Sequence, residues 1–371
     1  MEHLRRPLAV CRTVLKNRIV VPPISDFGVV SPDGLVTGRH LGRYTAFAEG
    51  GAGLIILEAC SVLRMREKRD TLYLEEDVCI EGLSRLAQAI HAHGAASLVQ
   101  IMLTGLAAMG RASIADIRAA EFLRCRQAFV SAAIRCRKAG FDGIELHAAH
   151  GMYLDEVVET STRHDGYGGC FENRVRLLVE LVQAIKAACG AGFIVAVRFG
   201  NSNDSELVNT ALAIEQAGAD LLDVSSGMEA YSVPPSDFRF DRKIYAASLV
   251  KRHTHLPVIC VGGIFTGAQG EEILSSGYAD LIAVGRGHLS DPAWARKVLA
   301  GETPNPCLRC KRCLWYQDGR RCPAAAIYHP PGVMCDCGPS PPAASGPEAA
   351  FLLSFTHRIP YFCLFFHRIP L

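Results

Sequence analysis

Apolar runs recur along the chain, and each stops abruptly at Gly, Pro or a polar residue. Six fall at 17–22, 54–58, 96–100, 143–147, 193–199 and 221–225, and two more close on Gly262-Gly263 and Gly285-Arg286. Most are short and do not alternate with polar residues, as expected of strands buried on both faces. Between them lie stretches of helical period, such as GLSRLAQAIHAHG (82–94), AFVSAAIRCRKAG (128–140) and NRVRLLVELVQAIKAACG (173–190), several ending in Gly at a helix C-cap. Strand alternating with helix argues a parallel sheet. Eight strands between residues 17 and 286 fit one (β/α)8 TIM barrel, a fold of about 250 residues. A doubly wound sheet is the competing architecture.

The stretch 258–292, VICVGGIFTGAQGEEILSSGYADLIAVGRGHLSDP, narrows the choice. Two consecutive strands ending on Gly262-Gly263 and Gly285 expose bare backbone N–H groups, and Arg286 adds a fixed charge. That combination cradles a phosphate. In a TIM barrel the phosphate site usually follows strands seven and eight at the C-terminal face, which is where these glycines would lie.

Composition changes this picture little. The 371 residues carry a formal net charge of +2, with 49% hydrophobic and 20% charged residues. That balance argues against a nucleic-acid or anionic membrane partner. The opening MEHLRRPLAVCRTVLK lacks the apolar core of a signal peptide. No run reaches the ~18 apolar residues of a spanning helix. The 15 cysteines are scattered mostly through strands and helices, which suits reduced thiols and a cytoplasmic location better than a disulfide framework.

The fourth strand closes with IELHAAHGMYLDEV, so His147 and His150 project over the barrel mouth. Paired imidazoles there can hold a carbonyl or phenolate oxygen by N–H donation. The plainer reading is that one caps a loop and the other packs.

On these residues the chain resembles the flavin-dependent ene-reductases of the old yellow enzyme family, in particular the branch containing the 2,4-dienoyl-CoA reductases. The blocks carrying the resemblance are LKNRIVVPPIS (15–25), DGLVTGRHLGRY (33–44), GGAGLIILEA (50–59), AGFDGIELHAAHG (139–151), DGYGGCFENRVR (165–176) and the strand seven and eight block. The resemblance implies FMN at the barrel mouth. Pro22, Pro23, Ile24 and Ser25 would lie against the flavin, with Ala59 and Gln100 at its pyrimidine edge. Arg198 would face the N1–C2=O region and stabilise the reduced anion. Gly262, Gly263, Gly285 and Arg286 would hold the phosphate. For Arg198 the alternative is a salt bridge inside the barrel. The implied reaction is a ping-pong relay in which NAD(P)H reduces FMN and hydride then passes to the β-carbon of a small-molecule enone held by His147 and His150, with a proton delivered to the α-carbon.

Three departures from the family pattern bear on that chemistry. The proton-donor tyrosine of relatives falls at Met152, which cannot donate; Tyr153 stands one residue later and either substitutes or packs, and His164 and Asp165 are further candidate acids. After strand three, Leu103 and Leu106 stand where relatives carry His and Arg, and the stretch 105–129 is shortened. These changes suggest a less polar entrance and admit a bulky apolar substrate such as a bile-pigment-like tetrapyrrole, or equally a degraded gene.

Residues 304–345 are rich in Cys, Pro and Gly. Within PCLRCKRCLWYQDGRRCPA, Cys307, Cys310, Cys313 and Cys322 have gaps of two, two and eight residues. Such spacing suits a [4Fe–4S] cluster or a structural zinc, or leaves a metal-free loop. The dienoyl-CoA reductase branch carries a cluster here, with wider second and third gaps. Cys335 and Cys337 are spare candidate ligands. The chain thus reads as an FMN-binding barrel over 1–303, a cysteine-rich segment over 304–345 and a tail over 346–371. The tail could pack on the barrel, touch a membrane or be an aberrant terminus, the last favoured. With no G-x-G-x-x-G after a strand, FMN would be reduced directly by NAD(P)H or through a separate redox partner. Two other classes stay open: a phosphate-binding barrel aldolase or isomerase, for which no strand-end lysine is visible, and a non-catalytic flavin or electron-transfer module.

Overall fold

A computed structural model describes residues 1–26, 30–64, 71–105, 114–159, 162–201, 203–225 and 232–328. Leu106, Cys335, Cys337 and the tail 346–371 lie outside the described residues.

Eight parallel strands close into a barrel, and the doubly wound alternative falls. Numbering the barrel strands alone, they are β1 (Ile19–Val21), β2 (Leu54–Ser61), β3 (Ala96–Met102), β4 (Gly143–Ala148), β5 (Ile194–Phe199), β6 (Leu221–Val224), β7 (Val258–Val261) and β8 (Leu281–Ala283). Each pairs with the next in sequence, and β8 closes onto β1 through Ile282↔Ile19 and Ala283↔Val20. Helices pack outside, including Gly38–Glu49, Cys79–His91, Ala119–Lys138, Phe171–Cys189 and Arg242–Lys251.

The missing polar alternation has a direct cause. Successive residues of one strand enter two different apolar cores. Leu54 and Ile56 join the barrel interior with Leu98, Ala196, Ile259 and Leu281. Ile55 and Leu57 face the helices, as do Val99, Ile101, Val195 and Val197. An antiparallel hairpin, Leu8–Val10 with Thr13–Leu15, adds Val10 and Leu15 to the interior core. Alternation is therefore present in direction and absent in polarity.

One helix starts well before its sequence pattern. The segment expected at 128–140 begins at Ala119, where the Glu121 side chain caps the Arg118 N–H at 3.0 Å. Phe122, Cys125 and Phe129 then fall on one buried face at helical spacing, which extends the helix toward its N-terminus.

Candidate active site

The barrel interior changes character toward the C-terminal ends of its strands. Above the apolar layers lie Gln100 on β3, Glu145 and His147 on β4, Arg198 on β5 and Asp223 on β6, all buried. Strand register sets His147 beside Arg198 and Arg198 beside Asp223. The Gln100 amide donates to Glu145 Oε1 at 2.8 Å. Arg198 Nε lies 3.3 Å from Asp223 Oδ2, and Arg198 Nη2 donates to Ser225 Oγ at 3.2 Å. The salt bridge weighed as an alternative for Arg198 thus exists, and the same side chain stands at the strand end where a flavin would lie.

The histidine pair is assembled. The His147 and His150 ring centroids are 5.1 Å apart and nearly perpendicular, and His150 Nε2 lies 2.9 Å from Ser225 Oγ. His150 and Gly151 both adopt left-handed backbone, with φ of 62° and 70°. A non-glycine residue there is strained, and such strain collects at functional sites. Burial, reinforced by Arg198, lowers His147 to about 3, so its imidazole is neutral at physiological pH. Burial of its ring lowers His150 well below the usual imidazole range too, with Arg198 and His147 adding to it, although the residue as a whole is exposed at the mouth. Neutral imidazoles each offer one N–H, as oxygen binding requires.

The loop after β1 is pinned at three successive residues. Arg43 Nη2 donates to the Ile24 carbonyl at 2.8 Å, Trp315 Nε1 donates to the Ser25 carbonyl at 2.9 Å, and the Asp26 N–H donates to Glu58 Oε2 at 3.2 Å. Pro22 is buried, with Pro23, Ile24 and Ser25 half-buried above it. Ala59, also half-buried, sits at a register shift in β2. On the opposite rim, β7 and β8 end in register, Val261 against Ala283. The glycines that follow stand side by side: Gly262 at φ 129° and Gly263 at φ 60° need a residue without Cβ. A Cβ on Gly285 would come within 3.6 Å of Pro22 and 3.7 Å of Ile24. The turn after β8 and the loop after β1 therefore meet. Arg286 is exposed and stacks on Phe265 at 4.8 Å.

Sequence reasoning missed three groups here. Lys243, on helix Arg242–Lys251, is lowered chiefly by burial; Asp241 opposes this, while Arg198 and Arg286 add to it, so all three cations share the mouth. Glu58 and Trp315 hold the β1 loop. Lys243 belongs to no recognisable motif, whereas Glu58 ends a predicted strand within GGAGLIILEA and Trp315 lies within the cysteine motif, so these two carried a usable signal.

Two of the three candidate proton donors are engaged elsewhere. Tyr153 is fully buried in the layer between barrel and helices, with Phe122 at 6.2 Å between centroids. Asp165 caps Tyr167 N–H at 3.0 Å and is paired with Arg163 through Nε at 2.8 Å. That pairing holds its carboxyl below the usual range. His164 is exposed on the same loop. Packing explains Tyr153, and loop capping explains Asp165.

The four cysteines of the C-terminal segment are free thiols and wall one cavity together with Arg286 and Trp315. Among the described residues, no group of three or more His, Cys, Asp or Glu is arranged to hold a metal ion. The donor set, four thiols on one cavity, suits a cluster. No helix of the described residues is long and apolar enough to cross a membrane.

The sequence matches the NADH:flavin oxidoreductase / NADH oxidase family over residues 3–121 and 112–305. The chain belongs to this family of NAD(P)H-dependent flavin oxidoreductases. It is 35% identical to an NADH oxidase of Thermoanaerobacter brockii over 334 residues, 81% of this chain and 51% of that protein. The chain thus spans about half the length of that relative. It is 33% identical to an NADPH dehydrogenase of Halalkalibacterium halodurans over 321 residues, 80% of this chain and 94% of that one. In fold it is similar to an old yellow enzyme homologue from Zymomonas mobilis, with a TM-score of 0.70 at 23% identity over 82% of this chain and 95% of the other. It is likewise similar to a 2-naphthoyl-CoA reductase, with a TM-score of 0.76 at 22% identity over 86% of this chain and 56% of that one.

The residues present fit FMN. Glycine backbone and cations would face its phosphate, and Arg198 and the pinned β1 loop would face its ring system. His147 Nδ1 is buried without a hydrogen-bond partner, as a group awaiting a polar ligand would be.

Proposed function

We propose that the chain is an ene-reductase that takes hydride from NADH or NADPH and delivers it to the C=C bond of an α,β-unsaturated carbonyl compound. Bound FMN supplies the two-electron hydride carrier. Gly262, Gly263, Gly285 and Arg286 hold the phosphate, with Lys243 adding charge. Pro22 to Ser25 would form the wall against the ring system, with Ala59 and Gln100 at its edge, and Arg198 would offset the negative charge of the reduced flavin. His147 and His150 donate to the substrate oxygen and so draw electron density from the alkene. The observation that carries this reading is the neutral, perpendicular histidine pair standing beside Arg198 at the barrel mouth.

Tyr153 and Asp165 are left out of proton delivery because other contacts occupy them. His164 or water supplies the α-carbon proton. A bulky apolar substrate, a tetrapyrrole of bile-pigment type among them, stays a proposal from the sequence alone, because Leu103 packs with Tyr153 in the layer between barrel and helices. The cysteine segment over 304–345 is proposed as a cluster site with Cys307, Cys310, Cys313 and Cys322 as its donors and a separate redox partner as the electron source for that route; no step here depends on it. A second reading, an electron-transfer module without turnover, is favoured by Met152 and the buried Tyr153.

The test is an anaerobic absorbance titration of the FMN-loaded protein, first with NADH or NADPH and then with 2-cyclohexenone. Bleaching followed by recovery is expected. In the double variant His147→Ala/His150→Ala, reduction should persist, while recovery with enone should slow about 10²-fold or more for two lost donors. Recovery at the unaltered rate would remove the histidines from the mechanism; bleaching without recovery in the parent would favour the electron-transfer module.

A further inference from the structure

Glu145 and Asp223 stand out among the buried polar groups. Each residue has no exposed surface, and they face the same space inside the barrel from β4 and β6. Glu145 Oε1 accepts from Gln100, whereas Glu145 Oε2 and both Asp223 oxygens have no hydrogen-bond donor. Arg198, 3.3 Å from Asp223, is the one guanidinium the two carboxyls share. His147, above on β4, is neutral. Lys243 lies at the rim, the Cys260 thiol of β7 is held protonated by burial and by Asp223, and Glu58 of β2 is turned away toward Tyr44. Two ionised carboxylates with one cation would leave a net buried negative charge, which is costly.

We propose that Glu145 and Asp223 hold a single proton between them, on Glu145 Oε2, so that one negative charge, on Asp223, faces Arg198 beneath the cofactor. The pair is then a positioning device. It fixes how much of the Arg198 charge is left for the flavin, and Gln100, donating to Glu145, is held by a neutral acid rather than a carboxylate. Burial raises both carboxyls, repulsion from Asp223 raises Glu145 further, and Arg198 opposes the rise in each, in accord with this count. The proposal rests on the FMN reading for its consequence but not for its first test.

That test is the carboxylic-acid C=O stretch in infrared difference spectra of the full chain at neutral pH. Burial also raises Glu58 and Asp155 to about 7, so their acid bands are common to all the proteins and cancel in parent-minus-variant spectra. The Glu145 band is expected in the parent and should disappear in both Glu145→Gln and Asp223→Asn. In the first variant the acid is gone; in the second, relieved of its neighbour, Glu145 ionises against Arg198. Absence of the band in the parent, or its survival in both variants, overturns the proposal whether or not flavin binds. The second readout is the midpoint potential of bound FMN. Because one negative charge remains in either single variant, each should shift the potential little. Glu145→Gln/Asp223→Asn should favour reduced FMN by about tenfold or more, about 30 mV for a two-electron couple. Equal, additive shifts in the two single variants would mean two ionised carboxylates and would also overturn it. A chain that fails to bind FMN leaves the infrared test intact and faults the functional reading instead.

Discussion

The two halves of the barrel interior are built by the same strands and obey opposite rules. In the lower half, Leu54, Leu98, Ala196, Leu221, Ile259 and Leu281 fill the space with apolar volume. A few residues further along the same strands, Gln100, Glu145, Arg198 and Asp223 fill it with charge and amide, several of their atoms lacking partners. Apolar packing in the lower half needs nothing beyond the chain. The upper half is arranged around something the chain does not supply. In TIM barrels the lower face carries stability and the upper face chemistry, and here the divide falls within single strands.

The sharpest way to break the contrast is Arg198→Ala. It leaves Asp223 buried without its cation, and losing one partner of a buried pair costs about 3–5 kcal/mol. It should also abolish tight FMN binding. Denaturant unfolding of the flavin-free protein against the parent separates the two effects. Loss of flavin without loss of stability would show that Asp223 is already neutral and would shift the single charge elsewhere. Next in size is Leu98→Ala in the lower half, where a fully buried side chain is removed from the interior core. It should destabilise by about 2–5 kcal/mol, with the flavin spectrum and midpoint potential of the folded fraction unchanged. A shifted potential would mean that the halves are mechanically coupled.

The sequence foretold the barrel well because apolar runs buried on both faces end sharply, and those ends are where His147, Arg198 and the glycines of β7 and β8 stand. The Glu145–Asp223 pair was not foretold, since only strand register shows which residues point inward at one level. Tyr153 illustrates the converse. One residue along the chain turns a side chain through about 100° at the start of a helix, enough to send it into the outer core rather than over the mouth. The contact made by Trp315 was out of reach for another reason: its partner Ser25 lies 290 residues away in sequence, and no local pattern encodes such a contact.

Trp315 also gives the smallest and most selective test. Its indole N–H holds the Ser25 carbonyl, its ring receives the Arg43 guanidinium at 5.0 Å, and Arg43 holds the neighbouring Ile24 carbonyl. Trp315→Phe keeps an aromatic face for Arg43 and removes only the donor. The loss should be about 1 kcal/mol, the net worth of an ordinary hydrogen bond. Because that bond fixes a loop at the mouth and not the lower core, the loss should appear as faster FMN dissociation, about fivefold, while the unfolding midpoint of the flavin-free barrel stays near the parent's. A change in unfolding midpoint with no change in flavin release would make Trp315 part of the stabilising half. The reverse result would place the whole cysteine segment, through one indole, with the half of the barrel that serves the cofactor.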